Sequence, residues 1–536
     1  GLKSFPKNIV VKSQLTTSVS EGGPALSVTL GVTSNIILLD KTPMKPRFSD
    51  NRIGFFTEKH WYFADAQQAM LEKELITRWR LEPKKEDEER YLKGELVEPK
   101  KPIVYYIDPS TPKQWRKYII EGVHDWQVAF EKAGFKNAIM GKMAPTKQED
   151  STWSLEDARF SAIVYKPSEV ANASGPNVHD PRSGQILESH INWYHNVMSL
   201  LRNWYFIQTA AVDPGSRTMV FDDALMGELI RFVSSHEVGH TLGLRHNYGS
   251  SSTVPVDSLR NKAWVEANGH TPSIMDYARF NYVAQPEDNV SRLGLFPRIG
   301  DYDKWAIEWG YRWMPDYKTA EAEVPVLQKM TTERLKNKRL WFGTETNPDD
   351  PRSQNEDLGN DAMKASGYGI KNLQRIVPNL INWTKQPNES YEGLDEMYNQ
   401  VQTQFGRYMG HVAKNIGGIY ETPKMTEQSG PVYEFTPKAT QKEAMSFLSQ
   451  QLFATPTWLI NNDIFSRTGI NPQIVIANRQ ESVLNRIISG STMTKLFEAE
   501  AALGNSAYKA TEVMDDLRRS IFSEVYARKA TDIYRR

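Results

Sequence analysis

Not one cysteine occurs among the 536 residues. Disulfide staples, thiolate zinc sites, cysteine nucleophiles and any latency switch that caps a metal with a thiol are excluded. Neither charge is in excess, since 65 Lys and Arg balance 65 Asp and Glu. Without a basic surplus to neutralise phosphates, nucleic acid is not expected as a principal partner. Long apolar runs are missing too. Val28–Leu39 and Ala224–Val233 are short or interrupted by polar residues, so no transmembrane segment is expected. Gly-rich phosphate loops and a G-x-S-x-G nucleophile elbow are absent. Gly1-Leu2-Lys3 has no signal-peptide architecture and no initiator Met, and a removed targeting segment is compatible with that start.

What is present suits a globular chain of two to four domains, with 39% hydrophobic and 24% charged residues. Residues 1–98 read as a β-rich segment with a charged connector. Leu26, Val28, Leu30 and Val32 alternate with Ser27, Thr29 and Gly31, the period of a half-buried strand. Glu21-Gly22-Gly23-Pro24 is turn chemistry, so a hairpin with Ile9–Val19 is expected. The charge run from Glu82 to Arg90, continuing to Pro102, reads as a solvated linker. Residues 99–315 alternate strand and helix. Ile103–Ile107 and Ala158–Tyr165 are expected as strands, Lys113–Ala133 as an amphipathic helix, and Gln185–Tyr194 as a further strand. Residues 316–536 read as an all-α domain, with helices expected at Asp361–Val377, Tyr391–Ile416, Gln441–Phe453 and Ala510–Arg528.

The chemistry concentrates at His236-Glu237-Val238-Gly239-His240-Thr241-Leu242-Gly243-Leu244-Arg245-His246. Asp222 and Asp223 are candidate caps for a helix whose buried stripe is Leu225, Leu229, Phe232 and Val233. His236 and His240 then sit four apart on one face and are able to share one Zn²⁺. Glu237, one step round the helix, is placed to bond water at the metal instead. Gly243 tolerates the left-handed conformation that ends a helix and reverses the chain, which brings His246 in from a new direction. Three neutral imidazoles and one open position is the pattern of a catalytic zinc site. With ten His in the chain, chance occurrence of the whole string is on the order of one in 10⁵.

Further on stands Ser273-Ile274-Met275-Asp276-Tyr277. With the extended zinc motif before it, the chain resembles the metzincin zinc peptidases, which carry a later turn containing a Met. The resemblance implies an α+β catalytic domain, a twisted mixed sheet with an active-site helix, over residues 99–315. It implies one catalytic Zn²⁺ held by His236, His240 and His246, with Met275 as an apolar floor beneath them and Glu237 as general base and acid. The S-I-M-x-Y form is most like astacins and serralysins, which makes Tyr277 either a displaceable fifth ligand or a turn residue bonded to backbone. Asn247, after the third His, is neither the Glu of astacins nor the Ser common in matrixins. Residues 102–165 match the upper half of a metzincin domain, and Asp301–Tyr311 looks like its short terminal helix. The whole chain looks most like a poorly characterised family of large bacterial Met-zincins. Members are generally exported, so a periplasmic, cell-surface or secreted location is implied.

By the same analogy a protein or peptide substrate lies extended against an edge strand, for which Gln185–Tyr194 is the candidate. His190 and His195 lie in or beside it without ligand spacing and read as structural. Arg279, in the wall after the Met-turn, is a candidate for receiving an acidic side chain. His60, His124, His179, His270 and His411 have no argued role. Asn347-Pro348-Asp349-Asp350, with Glu356-Asp357 and Asp361, offers carboxylates for calcium but lacks the spacing of a calcium loop and reads as a solvated acidic loop. The leading expectation is a zinc-dependent endopeptidase. Two alternatives stay open: a binding or assembly protein on the same scaffold with a gated cleft, and a zinc hydrolase of a non-peptide amide. Nothing in the residues indicates an oligomeric state.

Overall fold

The alternating N-terminal segment folds as strands. In the computed structural model, which describes residues 1–20 and 24–528, β1 (Leu2–Ser4), β2 (Asn8–Val19) and β3 (Leu26–Ile37) form an antiparallel ribbon with Leu15 opposite Leu30. The pairing agrees with the sequence pattern, and the expected half-burial does not. The ribbon is packed only at its base, where Asn8 and Val10 are buried and Asn8 bonds Glu156 and Ala158, and Leu26 and Leu30 on its far part are exposed. Residues 21–23 of the expected turn lie outside the described residues. A second hairpin, β4 (Thr57–Tyr62) with β5 (Leu71–Ile76), leads into β6 (Arg78–Trp79).

The charged connector is not a solvated linker. It contains α1 (Glu88–Leu92), and Tyr91 and Val97 are buried within it. The Tyr91 ring packs on Phe135 and Trp313, and its hydroxyl donates to the Ala133 carbonyl at 2.5 Å. The charges stay on the outer side, where Arg90 pairs with Asp87 and Glu95. A few apolar residues among many charged ones, Tyr91 and Val97 with the buried Pro83 and Pro99, pin the segment, because burying one large side chain stabilises by roughly 1.5–3 kcal/mol.

The central sheet begins with β7 (Ile103–Ile107) and is followed by α2 (Lys113–His124) and α3 (Gln127–Lys132). The single helix expected over 113–133 is divided near Asp125. Trp126 is buried at the break, with its indole N–H on the Ser235 carbonyl at 2.7 Å. Then come β8 (Ile139–Met143), β9 (Ser161–Lys166), β10 (Ala173–Ser174), β11 (Val178–Asp180), β12 (Gln185–Glu188) and β13 (His190–Tyr194). One five-stranded sheet has the order β10-β13-β9-β7-β8. Neighbours from β13 to β8 run parallel, and β10 is antiparallel at one edge.

This corrects the expected edge strand. Gln185–Tyr194 is interrupted at Ser189, whose hydroxyl donates to the Pro176 carbonyl at 2.6 Å. β12 joins β11 and β6 in a separate three-stranded sheet. β13 lies inside the main sheet with Ile191 and Trp193 buried, and the two-residue β10 is the edge on that side.

α4 (Val197–Thr209) and α5 (Asp223–Thr241) follow, and α5 packs on α2 and touches β10 and β13. The helix expected at Asp301–Tyr311 is present. Beyond residue 316 the chain is mainly helical, but it is not all-α: β14 (Ile419–Glu421) pairs with β15 (Tyr433–Phe435). One continuous cluster of buried residues runs from Ile53 to Leu517. The helical region and the sheet therefore share a hydrophobic core, and its residues are able to reach the site that α5 carries. Among the described residues no helix is long and apolar enough to cross a membrane.

Candidate metal centre

Helix α5 starts where the sequence indicates. The Asp222 carboxylate accepts the Leu225 N–H at 2.7 Å, satisfying one of the free amides of the first turn. At the other end its last carbonyls find donors from distant chain, with Trp79 Nε1–H on Thr241 O at 2.9 Å and Tyr311 O–H on Leu242 O at 2.8 Å. The Tyr105 hydroxyl also donates to Thr241 Oγ1 at 2.7 Å, tying the helix to the sheet. Gly243 has φ +92°, and its N–H returns to the His240 carbonyl. A Cβ there would collide with the Thr77 carbonyl, so the reversal needs glycine both for its backbone angle and for its space.

That reversal brings His246 back to the helix. Donor atoms of His236, His240 and His246 all lie within 4.8 Å of one another, and among the described residues they are the group able to hold a metal ion. His236 Nδ1–H donates to the Ile274 carbonyl and His240 Nδ1–H to the Leu244 carbonyl, both at 2.9 Å. These bonds leave each Nε2 as a lone pair. His240 Nε2 and His246 Nε2 face each other at 3.1 Å, close to the roughly 3.3 Å expected for two nitrogens about 2.0–2.1 Å from one tetrahedral ion.

Burial holds all three rings neutral, as ligands must be. It pushes His240 down to about 4. Burial, with the repulsion a second protonated ring would meet and the charge of Arg279, lowers His246 to about 3 and His236 far below its usual range. The donor set, the tautomers and the convergence fit a zinc ion.

Glu237 is buried beside the triad, and burial pushes its carboxyl up to about 7 against the opposing charge of Arg279 and the Gly175 N–H. Gly175 follows the edge strand β10. A Cβ on it would lie 2.6 Å from the Glu237 carbonyl oxygen, so edge and helix approach this closely only because the residue is glycine.

Met275 is fully buried against α5, and its thioether occupies the space a Cβ on Gly239 would take. The turn that carries it is fixed by Asp303, which accepts Ser273 Oγ–H at 2.6 Å and the Ile274 N–H at 2.8 Å. Tyr277 has φ +63°, and its ring centroid lies 4.6 Å from that of His246 and 5.2 Å from that of His236. Tyr248, which no sequence motif marks, stacks on His246 at 5.3 Å.

Asn247, the departure from the related groups, is buried. Its amide nitrogen donates to the Trp341 carbonyl at 3.0 Å, and its amide oxygen accepts the Gly343 N–H at 2.9 Å. The 341–358 segment is thereby docked against the centre, and nothing local in the sequence signals it.

The readings of Arg279 and of the 347–361 acids are corrected, and the structural reading of His190 and His195 holds. Arg279 is not free to receive an acidic side chain. It is buried, stacked on rings and 3.7 Å from Glu356. His190 bonds the Phe160 carbonyl and His195 the Tyr165 hydroxyl, so neither joins the triad. The 347–361 acids form neither a calcium site nor a solvated loop. Asp350 is buried against Arg352, Asp349 pairs with Lys495, and Asp361 caps the helix Ala362–Ile376.

A family model described as Met-zincin matches residues 218–529, which takes in α5, the Met-turn and most of the helical region. A second, described as a domain of unknown function, matches residues 1–84. No curated protein and no solved structure matches the chain.

Proposed function

The chain belongs to the Met-zincin family, and from that we propose that it is a zinc-dependent endopeptidase with His236, His240 and His246 as ligands and Glu237 as general base and acid. One observation carries this reading: three imidazoles converge with their donor atoms within 4.8 Å, beside the buried carboxyl of Glu237. When bound, zinc supplies Lewis-acid polarisation of a carbonyl and acidification of water.

The chain's own residues supply the rest. Burial favours the neutral acid of Glu237, while Arg279 and the Gly175 N–H favour its carboxylate. A group balanced in this way both accepts and returns a proton. Glu237 takes a proton from the attacking water and hands it to the leaving nitrogen. The Tyr277 hydroxyl donates to the oxygen that becomes negative as the carbonyl is attacked. The peptide lies extended along β10, whose outer edge has no strand partner among the described residues. His240, His246 and Tyr277 keep partial exposure, which favours an accessible cleft over a gated one.

The test is cleavage of a diverse peptide library by zinc-loaded protein, with Glu237→Ala run alongside. Cuts that vanish in the variant while zinc is retained support the proposal. Cuts that persist in it, or one zinc per chain with no cleavage by either protein, overturn it.

A further inference from the structure

Tyr277 and Arg279 both have left-handed backbone, with φ +63° and +57°. For residues with a Cβ this conformation is strained and persists only where surroundings impose it. Here the surroundings are specific. The Arg279 guanidinium carbon lies 3.6 Å from the Tyr277 ring centroid and 3.5 Å from the Trp204 ring centroid, so the cation is held between a phenol at the metal centre and an indole of α4. Both Arg279 and its counter-ion Glu356 are buried, 5% and 3% exposed, with Nε–Oε1 3.7 Å.

Glu356 comes from the docked 341–358 segment. It too has left-handed backbone, φ +60°, and its own N–H donates to the Tyr277 carbonyl at 3.1 Å. Its second carboxylate oxygen lies 3.2 Å from Arg407, on the helix Glu392–Ala413. Tyr277 is thus gripped twice by one residue of the helical region, directly at its carbonyl and through Arg279 at its ring.

We infer that Arg279 is a positioning residue for Tyr277, held in turn by Glu356, so that the helical region sets the pose of the phenol over the metal centre. The inference rests on the endopeptidase reading for its kinetic consequence. A planar guanidinium is required, because an ammonium does not fill the slot between two rings in the same way. Arg279 does not touch substrate in this arrangement and acts through the tyrosine.

The experiment compares wild type, Tyr277→Phe, Arg279→Lys and the double variant, all zinc-loaded, on a peptide the wild type cleaves. Arg279→Lys is expected to lower kcat about tenfold to a hundredfold with KM nearly unchanged, the range of a misplaced oxyanion donor. The double variant is expected to be no slower than Tyr277→Phe alone. Full kcat in Arg279→Lys, or losses that multiply in the double variant, overturns the inference. A second readout does not need cleavage: 3-fluorotyrosine at position 277, followed by fluorine NMR as Zn²⁺ is added to the metal-free chain. One sharp line that shifts with metal in wild type, but is broadened or split in Arg279→Lys, supports positioning even if the peptidase reading fails. An unchanged line in the variant overturns it. Glu356→Gln, which keeps the side chain's size, is expected to broaden the same line and covers the case in which Arg279→Lys does not fold.

Discussion

Asn247 grips Gly343 across 96 residues of sequence, its amide oxygen accepting the glycine N–H at 2.9 Å while its amide nitrogen donates to the carbonyl of Trp341. The residue next to the third histidine is therefore one of the points that dock the 341–358 segment, beside Arg245 on Glu345 and Tyr302 on Phe342. Its own N–H also reaches the Met275 carbonyl at 2.9 Å, so one residue joins histidine, Met-turn and docked segment.

Replacing Asn247 by Ala leaves the carbonyl of half-buried Trp341 and the N–H of buried Gly343 without this partner. The expected cost is about 1–3 kcal/mol, read as a lower urea midpoint. Weaker zinc binding should accompany it, because His246 is the neighbouring residue.

Gly239→Ala places a methyl where the Met275 thioether and the Trp126 indole now lie. Overpacking of this kind costs roughly 1–3 kcal/mol. It also disturbs the turn whose Ile274 carbonyl orients His236, so zinc binding is expected to weaken about tenfold. Competition with a chromogenic chelator measures it.

Gly175→Ala would set a Cβ 2.6 Å from the Glu237 carbonyl oxygen and 2.9 Å from Thr241 Cγ2. The edge strand has to move away from α5, taking the Gly175 N–H from the Glu237 carboxylate. Peptide cleavage is expected to fall with zinc content unchanged, and the two are separable by activity assay and elemental analysis.

Glu323 is buried against Arg47, with Oε2–Nε 2.9 Å, and Lys45 also pairs with it. Burial alone would raise its pKa, but bonds and charge from Arg47 and Lys45 outweigh that and hold it below its ordinary 4.5. A folded-state pKa below the unfolded one means the contribution is complete above about 4.5 and is lost as pH falls through the folded value. Arg47→Met should flatten this dependence. It leaves a buried carboxylate with Lys45 as its paired cation and Arg78 as a nearby charge, at a cost of up to about 3–5 kcal/mol at neutral pH, and part of that is regained in acid. Urea unfolding between about pH 3 and pH 7 on both proteins compares the slopes.

Removing the metal should lower the melting temperature, since an ion that binds only the folded chain stabilises by about 4 kcal/mol at a thousandfold excess over its dissociation constant. Calorimetry with and without a zinc chelator measures the shift. No shift in His240→Ala would assign the effect to the triad.

Features set by neighbours in sequence were legible. The four-residue spacing of His236 and His240, the Asp222 cap, the Gly243 reversal and the strand Ile103–Ile107 follow from helix period, side-chain capping, φ freedom and alternation, all local properties. Where chain distant in sequence decides, pattern misleads. Gln185–Tyr194 reads as one strand because alternation continues through Ser189, whereas pairing with β6 and β11 on one part and with β9 and β10 on the other divides it. Tyr91 and Val97 are hidden in a charge run, since composition averages away a few buried side chains.

The sequence by itself determined the helix that puts His236 and His240 on one face and the glycine reversal that returns His246 toward them, because helix period and φ freedom are local properties. The tertiary structure alone decided what surrounds that centre. β10 is the edge beside α5, Asn247 helps dock the 341–358 segment, and Arg279 is a clamped cation, because each depends on partners distant in sequence, such as Gly343 and Glu356, that pattern cannot bring together and only the shared core does.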